Sequence, residues 1–336
     1  MRVNNFPGLT NTLSRHSQRM RSLEFHVDLE HLDKMNIHLF NFALLQKLSV
    51  RLLDTETEIE VHADDFIEIF KSAPLLREAL LEELPPSLFT LPWQQITKFT
   101  GEYYTAALCL NALKLMSNLV ECAFSVFEID EDAFDDLQMF SHTNIQYFSI
   151  FESQSPLGWS AKLLRLVTFP ALQTLKIRAN DFDEVVLDSF LQRSEPPLQK
   201  ISIHPLGGMK LRLSPLLTEL GLTELEIYHP AVGFLPLFFD FFAGGALPRL
   251  QSLSLLGCRA EDGELTGAEV LEMAATPIFN RRKLTQCVQL QSFRVVEERT
   301  YAAYPEPILL PFRELKAAGM DVYIGTNQYR CCNLRS

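Results

Sequence analysis

The stretch Leu172-Gln173-Thr174-Leu175-Lys176-Ile177 returns, little altered, at Leu198-Gln199-Lys200-Ile201-Ser202-Ile203. The same pattern stands at Leu45-Gln46-Lys47-Leu48-Ser49-Val50, Ile145-Gln146-Tyr147-Phe148-Ser149-Ile150, Leu250-Gln251-Ser252-Leu253-Ser254-Leu255 and Leu290-Gln291-Ser292-Phe293-Arg294-Val295. The copies that begin at Ile145, Leu172, Leu198 and Leu250 are 27, 26 and 52 residues apart, and a weaker copy, residues 222–227, lies inside the last interval. Each copy carries apolar residues at its first, fourth and sixth places. Alternation of this kind predicts a short strand with one face turned inward.

A period in the twenties with an apolar-x-x-apolar-x-apolar core is the mark of a leucine-rich repeat. Degenerate copies then become visible at residues 20–25, 76–81, 96–101 and 119–124, and residues 315–324 close the series. The expectation is an α/β, right-handed leucine-rich-repeat solenoid of the ribonuclease-inhibitor horseshoe type, with a curved parallel sheet and outer helices. About a dozen irregular units fill residues 1–326, and residues 327–336 form a C-terminal tail. Asn180 and Cys258 occupy the ninth place of the longer consensus and are read as structural. Pro74, Pro170, Pro197 and Pro248 stand just before strands, where proline is expected to stop the preceding helix. Helical spacing links Phe182, Val186 and Phe190, and also Tyr104, Leu108, Ala112 and Leu115. Thr266-Gly267-Ala268-Glu269 is a capping box, with Leu265 and Val270 as its staple. No unit buries its apolar face alone; stacking on its neighbours does so.

Composition narrows the function classes. Net charge is −12 and apolar content 47%. An acidic balance argues against nucleic-acid binding, which needs a basic stripe. Asp130, Glu131, Asp132, Asp135 and Asp136 read as the solvated start of an outer helix. The six cysteines show no zinc spacing; Cys122 reads as a small inward apolar residue, and Cys331-Cys332 as part of the tail. Residues 231–247 hold Phe234, Phe238, Phe239, Phe241 and Phe242. Pro236, Asp240 and Gly244-Gly245 interrupt the run, so it reads as a buried helix ended by glycine and not as a membrane span, which needs about 20 apolar residues. No secretory signal is read at the N-terminus, and reduced thiols fit a cytoplasmic or nuclear location.

No Gly-x-Ser-x-Gly elbow, phosphate-binding glycine loop or His-Glu-x-x-His helix is found. The histidines, among them His62, His142 and His229, are dispersed, and Asp64-Asp65 and Asp135-Asp136 sit where helix caps are due. No cofactor or metal is implied, and the expectation is a chain that is not an enzyme. Residues between the inward places line the open face of the strands. They include Glu24, His26, Lys47, Ser49, Arg51, Glu224, Glu226, Ser252, Ser254 and Arg294. In the middle, Tyr147 and Phe151 adjoin Lys176, Arg178, Lys200 and His204, with Tyr228 beyond. Aromatic residues beside cations suit a protein-contact centre, and their charge suits an acidic segment of a partner.

Three passages carry a family resemblance. Leu91-Pro92-Trp93-Gln94-Gln95-Ile96-Thr97-Lys98-Phe99-Thr100-Gly101 looks like a "P-W-x-Q-L-T" approach to a strand. Leu115 with Asn118-Leu119-Val120-Glu121-Cys122 looks like "L-x-x-C-P-N-L-V-E-C", Met116-Ser117 standing for Cys-Pro. Leu315 to Ile324, through Gly319-Met320-Asp321-Val322, looks like a closing "L-x-x-x-G-M-D-I-x-I". In these the chain resembles the repeat region of fungal F-box proteins with leucine-rich repeats. The resemblance implies a protein-protein interaction module akin to the substrate-recognition region of F-box ubiquitin-ligase receptors. The alternative is a stand-alone leucine-rich-repeat scaffold or inhibitor. The F-box itself, which in that family binds the Skp adaptor, is not found: a strand copy begins at Met20, and Leu84-Pro85-Pro86 leads into another repeat. Skp binding is therefore not carried over with the repeats.

Overall fold

The computed structural model describes residues 11, 13–27, 40–52, 67–127, 138–152, 158–179, 184–205, 221–230, 232–258, 265–298 and 304–326. The acidic run 130–136, His62, Asp64-Asp65, Asn180, Phe182 and the tail with Cys331-Cys332 lie outside them. The chain divides into two compact units, residues 1–153 and 154–336.

The first unit holds strands β1 (Ser22–Val27), β2 (Lys47–Leu52), β3 (Glu78–Glu82), β4 (Lys98–Tyr104), β5 (Glu121–Val126) and β6 (Tyr147–Glu152), with helix α1 (Ala106–Leu115) between β4 and β5. The strands pair in chain order, each parallel to the next. The register superposes the repeat. Leu23, Leu48, Ala79, Phe99, Cys122 and Phe148 form one column, and Phe25, Val50, Leu81, Gly101, Phe124 and Ile150 a second. Phe99, Phe124 and Phe148 meet edge to face, with centroids 6.1 and 6.2 Å apart. The Cys122 thiol is fully buried in the column, and burial pushes it well above the ordinary thiol range.

The second unit holds, in chain order, α2 (Trp159–Leu166), β7 (Thr174–Ala179), α3 (Glu184–Ser194), β8 (Lys200–Pro205), β9 (Glu224–Tyr228), α4 (Leu235–Ala243), β10 (Ser252–Cys258), α5 (Gly267–Arg281), β11 (Ser292–Glu297), α6 (Glu306–Ala317) and β12 (Asp321–Thr326). Its six strands are again parallel and in chain order. The columns are Leu175, Ile201, Leu225, Leu253, Phe293 and Val322, beside Ile177, Ile203, Ile227, Leu255, Val295 and Ile324; all are buried. The protein is thus α/β, its parallel strands alternating with helices. Fully burying such a side chain contributes about 1.5–3 kcal/mol, so the columns are the main source of cohesion in each unit.

A backbone motif joins successive coils. The carbonyl of the residue just before a strand accepts two N–H groups from the approach to the next strand. Gln173 O receives Gln199 N at 2.9 Å and Lys200 N at 3.0 Å; Gln199 O then receives Thr223 N and Glu224 N, and Thr223 O receives Gln251 N and Ser252 N. Arg21, Gln46, Arg77, Thr97 and Val120 do the same in the first unit. This meets the demand that buried main-chain groups be paired.

The prolines before the strands act differently from expectation. Pro74, Pro170 and Pro248 are second residues of four-residue turns closed by Leu76 N to Ala73 O, Leu172 N to Phe169 O and Leu250 N to Leu247 O at 3.0–3.2 Å. Proline's fixed φ suits that turn position, so these residues shape the approach to the strand and do not end a helix. The first turn residue is a buried anchor: Ala73, Phe169 and Leu247, or Phe42 and Met116 in copies without proline. His142 takes this place before β6, buried, with Nε2 at 2.8 Å from the Met116 carbonyl oxygen.

Tyr104 is a second correction. It ends β4 and is not part of a helical stripe. Thr105 caps α1, its hydroxyl accepting from Leu108 N at 3.2 Å, and α1 buries Ala106, Cys109, Leu110, Ala112 and Leu113, leaving Leu115 exposed. The register shifts between Gly101 and Tyr104, and the Tyr104 ring folds back over Gly101. A Cβ on Gly101 would stand 2.8 Å from that ring and 2.9 Å from Phe124. The tyrosine therefore fills the inward place the glycine leaves open, and its hydroxyl donates to Leu84 O at 2.6 Å. Leu84-Pro85-Pro86 leads into a short 3-10 turn, Pro86–Leu88, then a second at Trp93–Gln95, then β4.

The phenylalanine-rich helix α4 buries Phe238, Phe239 and Phe242, with Phe234 beside it, and ends at Gly244-Gly245, where Gly245 has φ +95°. Among the described residues no helix is long and apolar enough to cross a membrane. Arg281 of α5 secures the same corner. Its buried guanidinium lies 4.2 Å from the Phe242 ring centroid and donates to Ala246 O at 2.6 Å, Phe242 O at 3.4 Å and Leu247 O. Burial lowers its pKa. The capping box of α5 is present in full, with Leu265 and Val270 both buried. Cys258 is buried too, with Sγ 3.9 Å from Leu255 O.

Candidate functional site

The outward places of β7, β8 and β9 bring Lys176, Arg178, Lys200, His204 and Tyr228 onto one face of the second unit. The register sets Lys176 opposite Ser202 and Arg178 opposite His204. Ser202 then stands opposite Glu226. Tyr228 is the centre. The His204 imidazole stacks on its ring, with centroids 3.6 Å apart and planes 13° from parallel, and Lys176 Nζ lies 5.3 Å from the ring centroid. A cation over an aromatic face is held by the ring quadrupole.

Lys200 is committed within the protein. Its ammonium lies 2.6 Å from Glu226 Oε1 and 3.5 Å from Glu224 Oε2, and Ser202 Oγ donates to Glu226 Oε2 at 2.7 Å. Burial alone would raise the Glu226 pKa, but the bonds from Lys200 and Ser202 outweigh it and hold the carboxylate below its ordinary range. Lys176 makes no ion pair among the described residues. Lys176 and Arg178 bring positive charge close to His204.

His204 is 9% exposed. Burial first, then the positive charges of Lys176 and Arg178, lower its pKa to about 3. It is a neutral ring at pH 7, and neither nitrogen has a hydrogen-bond partner among the described residues. His229, in the turn after β9 with φ +47°, lies 6.3 Å from it ring to ring and 3.8 Å from Glu298. Gly257 makes room for His229: a Cβ there would stand 2.8 Å from the His229 ring. The involvement of His229 was hidden in the sequence. A glycine inside a strand pattern, the usual sign of close approach, was its signal.

Tyr147 and Phe151 lie half-buried on the outward places of β6, in the first unit. There the face is dominated by a different group. Arg51 on β2 pairs bidentately with Glu102 on β4, donates to Glu82 on β3 at 3.0 Å and lies 3.6 Å from Glu24 on β1. Hydrogen bonding to Glu102 raises the Arg51 pKa. Lys98 and Glu121 pair at 2.8 Å, and Lys47 and Glu78 at 3.5 Å. Glu78, Glu82 and Glu102 come from the degenerate copies; extending the strong copies' register through those segments would have found them. This face is rich in carboxylates satisfied by fewer cations.

Among the described residues no three His, Cys, Asp or Glu side chains converge to hold a metal ion. A shallow hollow of about 650 Å³ beside Trp93, lined also by Leu91, Pro92, Leu115 and Asn118, has no titratable lining residue. The interval between Leu255 and Leu290, the longest between successive copies when the weaker ones are counted, contains α5. No protein-family model and no curated protein matches the sequence.

Proposed function

We propose that the chain is a leucine-rich-repeat solenoid of the ribonuclease-inhibitor type that recognises proteins without catalysing a reaction, and that the β7–β9 face of its second unit receives an acidic segment of its partner. The observation that carries this is the placement of Lys176 over the Tyr228 ring, beside His204 and with Arg178 opposite His204, which gathers cations on a chain of net charge −12. A positive patch steers an acidic partner and rejects basic ones, and a rigid aromatic beside a cation is a good anchor. The same net charge disfavours nucleic acid. The resemblance to the recognition region of F-box receptors supports substrate binding as the role, in the cytoplasm or nucleus. Ligase membership would need an F-box that these repeats do not supply.

The test is titration of fluorescent Asp/Glu-rich peptides at low salt into the protein and into Lys176→Glu/Arg178→Glu. Charge reversal is expected to weaken binding at least about tenfold, and binding to the parent is expected to fall steeply with salt. Equal binding by the two proteins would overturn the reading.

A further inference from the structure

The open face of the first unit carries a surplus of the other sign. Glu24, Glu82 and Glu102 share the guanidinium of Arg51, and three carboxylates against one cation leave two negative charges over. The Glu82 and Glu102 side chains are 17% and 27% exposed, so solvent screens that surplus only in part. Its effect reaches the neighbouring residue: burial first, then the charge of Glu82, raises the Glu83 pKa. At the starts of β2 to β5 the charges balance instead, Lys47 with Glu78 and Lys98 with Glu121. Surplus acid alone makes no site, and Ser49 is what makes this one specific. It lies on the open face of β2, directly opposite Glu24 on β1 and two places before Arg51. Ser49 is 7% exposed, and its hydroxyl has no hydrogen-bond partner among the described residues. Glu82 bonds Arg51 through Oε2 only. Buried polar atoms are normally paired. A guest that brings positive charge and several N–H donors supplies what the hydroxyl and the carboxylates both lack.

We propose that this face binds a basic segment of a partner protein, with one arginine of that segment seated over Ser49 between Glu24 and Glu82. The occupant is opposite in charge to the acidic segment assigned to the second unit, and the two sites stand independently. The contact of Arg51 with Glu24, at 3.6 Å, is the longest in its network and is the one the guest replaces; the bidentate pair with Glu102 stays. As the Arg51 chain swings off Glu24, the Ser49 hydroxyl becomes reachable and accepts one guest N–H. Leu80, half-buried opposite Ser49 on β3, offers an apolar rest for the methylene stem of the guest. A guanidinium carries five donors in a planar fork and can meet two carboxylates and a hydroxyl together, whereas an ammonium is a point charge with three. With the guest seated, three carboxylates face two guanidinium groups, so neither cation lacks a counterion. No proton and no covalent bond changes.

The experiment titrates the full chain, at low salt, with two fluorescent peptides of equal charge in which arginines or lysines are spaced by glycine and serine. The arginine peptide is expected to bind at least about fivefold tighter than the lysine peptide, and amide NMR shifts to centre on β1–β4. Glu82→Gln is expected to weaken the arginine peptide at least about tenfold. Glu121→Gln removes the same charge from a balanced pair and should change binding less than about twofold. Ser49→Ala should weaken the arginine peptide by about three- to tenfold. Its hydroxyl is unmet in the free protein, so the same variant should unfold at an unchanged or higher denaturant midpoint. Where Glu82→Gln fails to fold, Glu24→Gln, at an exposed side chain, reads the same site with a loss of about threefold or more. Equal weakening by Glu82→Gln and Glu121→Gln would mean diffuse attraction to an acidic chain and overturns the inference. Equal affinity for the two peptides, unaltered binding by Ser49→Ala, or no binding at all overturns it too.

Discussion

The imidazole of His204 and the phenol ring of Tyr228, on adjacent strands, lie face to face at 3.6 Å. The contact keeps a titratable ring in a place where Lys176 and Arg178 oppose its charging. Folding therefore has to exclude a proton that the unfolded chain would bind.

That exclusion predicts a pH dependence of stability. The folded pKa of about 3 lies below the ordinary value of 6.5. Between these values the unfolded state holds more protons, so stability rises with pH and is lost as pH falls from 6.5 towards 3. The slope is at most about 1.4 kcal/mol per pH unit. Urea titrations of the parent and of His204→Phe across this range should show the difference; parallel curves would refute it.

Gly101 and Tyr104 should be energetically coupled. Gly101→Ala places a methyl 2.8 Å from the Tyr104 ring and is expected to destabilise by about 1–3 kcal/mol. Tyr104→Ala empties the site and should cost about 3–5 kcal/mol. In the double variant most of the Gly101→Ala penalty should vanish, a non-additivity that chemical denaturation measures directly.

Arg281→Met should loosen the α4–α5 corner. The carbonyls of Phe242, Ala246 and Leu247 lose their buried donor. Leaving several acceptors unmet is expected to cost about 2–4 kcal/mol. Arg281→Lys should rescue only part, because one ammonium cannot reproduce the planar fork. Hydrogen exchange should rise first in α4.

Thr266→Ala removes the N-cap of α5, whose hydroxyl accepts from Glu269 N at 3.3 Å. The expected loss is about 1 kcal/mol. Glu269 is held below its ordinary range by hydrogen bonds from the Thr266 backbone and hydroxyl. Its share of stability is present above the unfolded carboxylate value and fades as pH falls through the folded one, so the Thr266→Ala deficit should shrink in acid.

The columns were legible because the repeat is strict where burial is complete. Leu175, Ile201 and Leu253 have isomeric side chains that differ only in where a methyl branches, and their register follows from counting. The places that resisted reading are those where a distant side chain compensates. Gly101 breaks the pattern, and Tyr104 repairs it through a bulge that no period announces. Proline before a strand looks like a helix stop until the turn hydrogen bond is seen. On the open face, the nearness of Lys176, Arg178, His204 and Tyr228 followed from the period. The engagement of Lys200 by Glu226, the covering of both His204 nitrogens and the Arg51 carboxylate network did not, since these depend on rotamers and on the degenerate copies. Tyr147 and Phe151 fall in the other compact unit.

Within each unit the coils are joined by main-chain carbonyls that each take two amide hydrogens. Such a joint is indifferent to the residue that contributes it: Gln173, Thr223 and Val120 serve alike. Spacing between rungs is therefore insulated from chemistry on the open wall. Outward positions can be rewritten, by mutation or by an engineer, to suit a new guest while the frame keeps its pitch.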